Sequence, residues 1–288
     1  MSEPARKDNE LESFRELVRN LGEGDDVFPA ALRISVLEHP EWELGWWKPW
    51  EEKLESLTNQ AADFLGGQTS PPDPIGAVRS FAQFFHGVLG FAGNREDYHN
   101  PANSCLTHVM NTRRGLPITL SVLMATLGRG AGLDLYGVGT PGHFLTAARL
   151  PEETIYLDPF TGPDLMDEEA ALGLVEKVTN VPRRQLLPYL APVQARDVLI
   201  RMLNNLKVSY MHRGELDKLL RTLTWLVELD PDNLAEVRNR GLILLRLGHR
   251  AEGAAELMRY VEGAPDAEDL KVIREEALRA LSGRHGLN

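Results

Sequence analysis

At 288 residues, with 43% hydrophobic and 25% charged side chains, the chain has the make-up of a folded globular protein long enough for about two domains of ~100–200 residues each. Its net charge of -11 is concentrated early: residues 195–288 carry 15 basic and 15 acidic side chains, leaving 16 against 27 in residues 1–194, so no basic stripe invites nucleic acid or an anionic membrane. The one cysteine, Cys105, excludes a disulfide framework and a thiolate zinc site; with no apolar run of ~18 residues and no signal-peptide core in residues 1–10, a cytoplasmic protein without cofactor, metal or membrane partner is expected.

Residues 1–10 are polar and expected to fray, after which Leu11, Phe14, Leu17, Val18 and Leu21 recur at helical spacing. Helical patterns follow at 28–38 and 49–65. Between them Trp42, Trp46, Trp47 and Trp50 offer either an aromatic docking surface or, the reading preferred here, packing of the N-terminal helices on the next domain. Gly66, Gly67 and the run Ser70-Pro71-Pro72-Asp73-Pro74 mark a loop. Asp73 is placed to cap a helix that opens at Pro74 and runs to Leu89. Residues 1–75 thus read as an N-terminal helical subdomain and 76–190 as the core.

Residues 90–104 are rich in Gly and Asn and read as a long ordered loop of the kind that tends to be functional. Asp97, Tyr98, His99 and Asn103 on it are candidates to line a cleft, with turn hydrogen bonds as the plainer role for Asp97 and Asn103. A short helix over 105–112, a turn at Arg114-Gly115 and a helix opening at Pro117 follow. From Ile118 to Leu127 that helix is apolar on almost every side, as a helix packed all round must be.

From Leu133 the period changes. A lead-in strand reaches Gly139, then Phe144 to Leu150 and Thr154 to Leu157 read as a hairpin about Pro151-Glu152-Glu153. His143 begins one strand and Asp158 ends the other, within about two positions of direct opposition, so the two can hydrogen-bond. A carboxylate beside an imidazole fixes its tautomer and stabilises the imidazolium, the orienting half of a catalytic triad; a lock on the hairpin is the plainer alternative. Helical patterns resume at Glu168, and Pro182 and Pro188 to Pro192 lead into a tail, 191–288.

Shifting that tail by 34 residues superposes Asn205 on Asn239, Gly214 on Gly248, Leu223 on Leu257, Val227-Glu228 on Val261-Glu262 and Pro231-Asp232 on Pro265-Asp266. The period, Tyr210, Gly214 and Pro231 resemble the tetratricopeptide repeat, while Leu219 and Gly253 depart from its usual alanine. A further helix over 268–282 would cap the stack. Such a tail forms either a peptide groove or, with so few repeats, a structural buttress.

The order of buried helix, strand, Gly142-His143-Phe144 and Leu157-Asp158-Pro159-Phe160 resembles the core of transglutaminase-like proteins. The segments Gly90 to Asn94, Asp97-Tyr98, Asn103-Ser104, Arg114 to Ser121, Gly137 to Gly139 and Pro141 to Phe144 are similar to the bacterial SirB-type subfamily. The resemblance implies an α+β papain-type core, a buried helix on a small antiparallel sheet, with N-terminal helices and C-terminal repeat hairpins. It also implies a triad of helix-borne Cys, strand-borne His143 and Asp158. Counting back from Gly132, the cysteine's place falls at about Pro117 or Ile118, and neither can attack anything.

Three substitutes for that nucleophile are open: Cys105, a hydroxyl of Thr119 or Ser121, or water activated by His143 and Asp158. Each has a plainer reading, as a core thiol or as backbone-bonded hydroxyls. His99, His143 and Asp158 have no metal-ligand spacing, so no metal is expected. The preferred expectation is recognition of a protein or peptide without cysteine-based catalysis. An amide hydrolase or acyl transferase and a structural scaffold are the alternatives.

Overall fold

The computed structural model describes residues 3–22, 26–39, 41–42, 45–67 and 73–282, with residues 3–9 as backbone only. The expected loop at Ser70, Pro71 and Pro72 lies outside the described residues. The described chain divides into two compact units, 1–202 and 203–288.

In the first unit α1 (Glu3–Arg19) and α2 (Phe28–Arg33) lead into a 3-10 turn at Ile34–Leu37 and α3 (Lys48–Gly66). Helix α1 therefore starts within residues 1–10, the stretch expected to fray, and the expected helix 28–38 is α-helical only to Arg33. His39, Trp42, Trp46 and Trp47 form a half-buried chain of ring contacts, ended by Arg33 with its guanidinium 3.9 Å from the centre of the Trp47 ring. Asp73 caps α4 (Pro74–Gln83), accepting from the Gly76 N–H at 2.5 Å. The helix does not reach Leu89 in one form: from Phe84 to Val88 it widens to a π turn.

Inside the expected loop, β1 (Ala92–Gly93) is followed by a 3-10 turn at Pro101–Ser104 and α5 (Leu106–Thr112). Arg114–Gly115, expected as a turn, is β2 and pairs in parallel with β1. It leads into α6 (Pro117–Gly130), in which every residue from Pro117 to Gly128 is buried. Helix α6 packs against α3. Asp26 ties the N-terminal segment to α6, accepting from Thr126 Oγ1 at 2.8 Å and Arg129 Nη2 at 2.6 Å. The segments expected as 1–75 and 76–190 therefore share one compact unit.

After α6 come β3 (Leu135–Val138), β4 (Leu145–Arg149), β5 (Thr154–Leu157) and β6 (Leu165–Met166), an antiparallel meander in chain order. Strand alternation gives this sheet two apolar faces. Val138, Leu145, Ala147 and Tyr156 pack with Ala171 and Val175 of α7 (Glu168–Thr179) and with Leu186 of α8 (Arg183–Leu186). Against the opposite face lies α6, which contacts both β3 and β4. A buried helix on a small antiparallel sheet is the α+β core expected from the sequence.

The second unit begins within α9 (Ala195–Arg213) and continues as α10 (Leu216–Leu229), α11 (Leu234–Arg246), α12 (Arg250–Gly263) and α13 (Leu270–Leu281). Gly214 and Gly248 hold φ of 69° and 88° at the helix turns, the backbone requirement behind their spacing. Leu257, Tyr260 and Val261 of α12 share a core with Ile273 and Ala277 of α13. At Gly253 a Cβ would lie 2.9 Å from the Gly241 carbonyl, so the departure from alanine lets α11 and α12 approach closely.

The α6–sheet contact makes one position sensitive to size. A Cβ at Gly128 would stand 2.2 Å from Leu135 Cδ1 and 3.1 Å from Phe81, both buried. Gly128→Val is expected to cost about 1–3 kcal/mol through overpacking, against a few tenths gained in helix propensity, read as a lower midpoint in urea.

Candidate functional site

The site is built on two turns that the sheet brings together. Thr140, Pro141, Gly142 and His143 form the first, closed by His143 N–H donating to the Thr140 carbonyl at 3.4 Å. Pro141 and Gly142, with φ of 66° at the glycine, are the residues a type II turn requires at its two centres. The second follows β5, where Asp158 Oδ1 accepts from the Phe160 N–H at 3.0 Å and the Asp158 carbonyl accepts from Thr161 and Gly162. Register does the rest: Thr146 pairs with Leu157, so the chain before β4 and the chain after β5 emerge side by side.

His143 Nε2 lies 3.0 Å from Asp158 Oδ2. An ionised carboxylate only accepts, so Nε2 carries the proton and Nδ1 is left to meet a ligand. Burial works to raise the Asp158 carboxyl, but the hydrogen bond from His143, that ring's charge, the Phe160 N–H and Thr161 outweigh it and hold the group below the ordinary carboxylate range. Asp158 is 3% exposed and His143 9%, so the imidazole is enclosed without being sealed.

Phe160 organises the space in front of His143. Its ring stands edge-on to His143, with centroids 6.5 Å apart, and edge-on to Tyr98 at 5.9 Å. Arg95 lies 5.8 Å from its centre. A Cβ at Gly93 would come within 2.4 Å of this ring, so only glycine lets the loop at 90–104 close over it. Gly93 N–H donates to the Phe160 carbonyl at 3.1 Å, and Asn94 N–H to the Gly115 carbonyl at 3.0 Å.

The loop residues separate by role. Tyr98, 41% exposed, borders the His143–Phe160 space, and exposed His99 meets the Tyr98 ring edge-on at 5.4 Å. Asn103 is buried; its amide donates to the carbonyls of Asp97 at 2.6 Å and Tyr98 at 3.2 Å and its side-chain oxygen accepts from Asn94. Asp97 accepts from Asn100 Nδ2 at 2.9 Å. These bonds hold the loop's shape.

None of the three sequence-derived side-chain nucleophiles hydrogen-bonds the imidazole. Cys105, 0% exposed, stands just before α5 with its sulfur 3.9 Å from the Pro101 carbonyl oxygen. Thr119 closes the start of α6: its Oγ1 accepts from Leu116 N–H at 3.0 Å and faces the carbonyls of Asn103 at 3.0 Å and Leu116 at 3.1 Å. Ser121 lines a cavity of about 360 Å³ with Val122, Tyr136, Phe144, Val193 and Val198, a lining that includes neither His143 nor Asp158. Among the described residues the His143 ring hydrogen-bonds Asp158 alone, and no group of His, Cys, Asp or Glu is arranged to hold a metal ion.

Two residues near the site escaped the sequence reading. His86, on the π turn after α4, donates through Nδ1 to the Phe91 carbonyl at 2.8 Å; burial lowers its pKa, against the carbonyls of Phe91 and Gly162 and the charge of Asp158. A π turn often marks a functional position, yet nothing in Phe84-Phe85-His86-Gly87 announces one. Arg201 of α9 donates to the His143 carbonyl at 2.6 Å from 58 residues away, beyond the reach of local pattern.

Comparison with known proteins adds a family context. Residues 48–204 match the model described as transglutaminase-like superfamily, and 206–277 the tetratricopeptide repeat. A UPF0162 protein of Xylella fastidiosa strain Temecula1 is 33% identical over 272 residues, 90% of this chain and 92% of the relative. The UPF0162 protein YchA of Escherichia coli K12 is 26% identical over 227 residues, 78% and 82% of the two chains. Among solved structures, the crystal structure of menin covers 98% of this chain and 78% of its own at a TM-score of 0.43 and 10% identity, a likeness too slight to build on.

The depressed Asp158 carboxyl links folding to pH. Its unfolded pKa, about 3.9, is the higher one, so protons bind the unfolded chain first and the pair's contribution is lost as pH falls through the folded value. Asp158→Asn is expected to cost about 1–3 kcal/mol at neutral pH and to flatten the fall in stability below about pH 4, measured by urea unfolding across pH. An unchanged acid limb would contradict this.

Proposed function

This chain belongs to the transglutaminase-like superfamily, among the UPF0162 proteins, and from that premise we propose that it is a protein- or peptide-recognition module without cysteine-based catalysis. One observation carries the reading: the orienting pair is assembled, His143 to Asp158 at 3.0 Å, while among the described residues no thiol or hydroxyl hydrogen-bonds the ring. The superfamily's reaction needs an attacking atom within reach of that imidazole. Here α6 opens with Pro117 and Ile118, and Cys105 and Thr119 are engaged elsewhere.

What remains suits binding. The neutral imidazole, donating through Nε2 to Asp158, presents an acceptor at Nδ1 beside the edge-on Phe160 ring, which Tyr98 borders in turn. A peptide offers N–H donors and apolar side chains to such a site. The tetratricopeptide repeats support a protein partner in the same chain. No helix among the described residues is long and apolar enough to cross a membrane, and the acidic charge disfavours nucleic acid; we place the module in the cytoplasm.

The test is to incubate the protein with a library of short synthetic peptides and to read retained and altered peptides by mass spectrometry. A retained subset with no hydrolysed, deamidated or cross-linked product is expected, and His143→Ala should cut retention about tenfold, the loss of one good polar contact. Turnover by the wild type that His143→Ala abolishes would overturn the reading in favour of an amide hydrolase or acyl transferase.

A further inference from the structure

Arg201 is a cation placed against the site without an anion. It is partly buried on α9, donates one N–H to the His143 carbonyl at 2.6 Å and lies 5.4 Å from the centre of the Phe144 ring. Its Nη1 is 3.6 Å from where a Gly139 Cβ would stand. Burial lowers its pKa, against the influence of the Tyr98 phenol. Among the described residues it has no ion pair.

The chain treats most of its other enclosed arginines differently. Arg33 has Glu51 at 3.7 Å, Arg129 has Asp26 at 2.6 Å, and Arg238 and Arg240 have Asp269 and Glu256, each at 2.5 Å. Arg113, over the Phe91 ring, also has no ion pair among the described residues, but one of its nitrogens is sealed off without a partner there. No nitrogen of Arg201 is so sealed, and its remaining N–H groups stay available. Removing a guanidinium from water is costly unless an anion meets it, and a planar fork is matched by a carboxylate. In a chain of net charge -11, a partly buried arginine that hydrogen-bonds the His143 carbonyl and has no ion pair among the described residues is a placement that a ligand would complete.

We propose that Arg201 anchors a carboxylate of the peptide bound at the His143 site, either its free C-terminus or an acidic side chain. The inference rests on the recognition reading and names the chemistry that recognition selects. With the carboxylate on Arg201, the adjoining peptide unit lies along Tyr98 and Phe160 toward His143 Nδ1. Arg95, 5.8 Å from the centre of the Phe160 ring, is a second cation beside that ring.

The experiment uses full-length protein and short random-sequence peptides made in four forms: C-terminal acid or amide, with Asp and Glu retained or replaced by Asn and Gln. Removing both carboxylate sources should lower retention by wild type about 10- to 100-fold, and the single removals identify the source. Arg201→Met should show the same loss on the acidic library and no further loss on the neutral one. Arg201→Lys, which keeps the charge without the fork, should fall between. Equal retention of acidic and neutral libraries by wild type would overturn the carboxylate anchor while leaving peptide recognition standing. Retention of neither by wild type would overturn both. The wild-type comparison is decisive even if Arg201→Met unfolds, and full retention of the acidic library by a folded Arg201→Met would also sink the proposal.

Discussion

Asp158 is a carboxylate held charged with 3% of its surface exposed, and such a group persists only where donors replace the water it has lost. Its donors are His143 Nε2 and the Phe160 N–H. The first requires the Pro141-Gly142 turn and the β4–β5 register, in which a slip of one residue would turn His143 and the whole strand to the other face. The second puts the Phe160 ring in front of the imidazole, where Gly93 leaves it room and Tyr98 borders it. Loop, hairpin and imidazole are thus held by the needs of one anion.

The other half of the expected chemistry belongs to the start of α6. A helix N-terminus pointing into a partly dry site favours a thiolate, which is why a cysteine there would be reactive. In this chain the first turn carries Pro117 and Ile118, and Thr119 spends its hydroxyl on Leu116 and Asn103. That bonding fits a buried helix, whose end groups must be met by protein atoms because water is excluded. The helix start braces the loop at 90–104, and the enclosed imidazole keeps Asp158 as its partner, with a neighbouring cation in Arg201 at its carbonyl.

Much of this was legible in the residues because it follows from local chemistry. Period-two patterning located β4 and β5 and hence the proximity of His143 and Asp158; the Pro74 start and Asp73 cap set the opening of α4; a spacing of 34 residues between Gly214 and Gly248 exposed the repeats. What escaped depends on contacts between distant segments. The pairing of Ala92–Gly93 with Arg114–Gly115 involves too few residues to show a period. The π turn that places His86 continues a helical pattern without a break in it. Arg201 lies in a stretch that reads as helical tail, and only the fold carries it to the His143 carbonyl.

The most direct measurement is the reactivity of Cys105, followed by intact-mass spectrometry during exposure of the native protein to iodoacetamide, with a denatured sample as the reference for full labelling. A thiol that is 0% exposed, with its sulfur beside the Pro101 carbonyl, should remain unmodified in the native state while the denatured chain takes up one label. Rapid native labelling that His143→Ala slows would mean that Cys105 is an activated thiolate partnered by the imidazole, and the account of a recognition site without a nucleophile would be wrong.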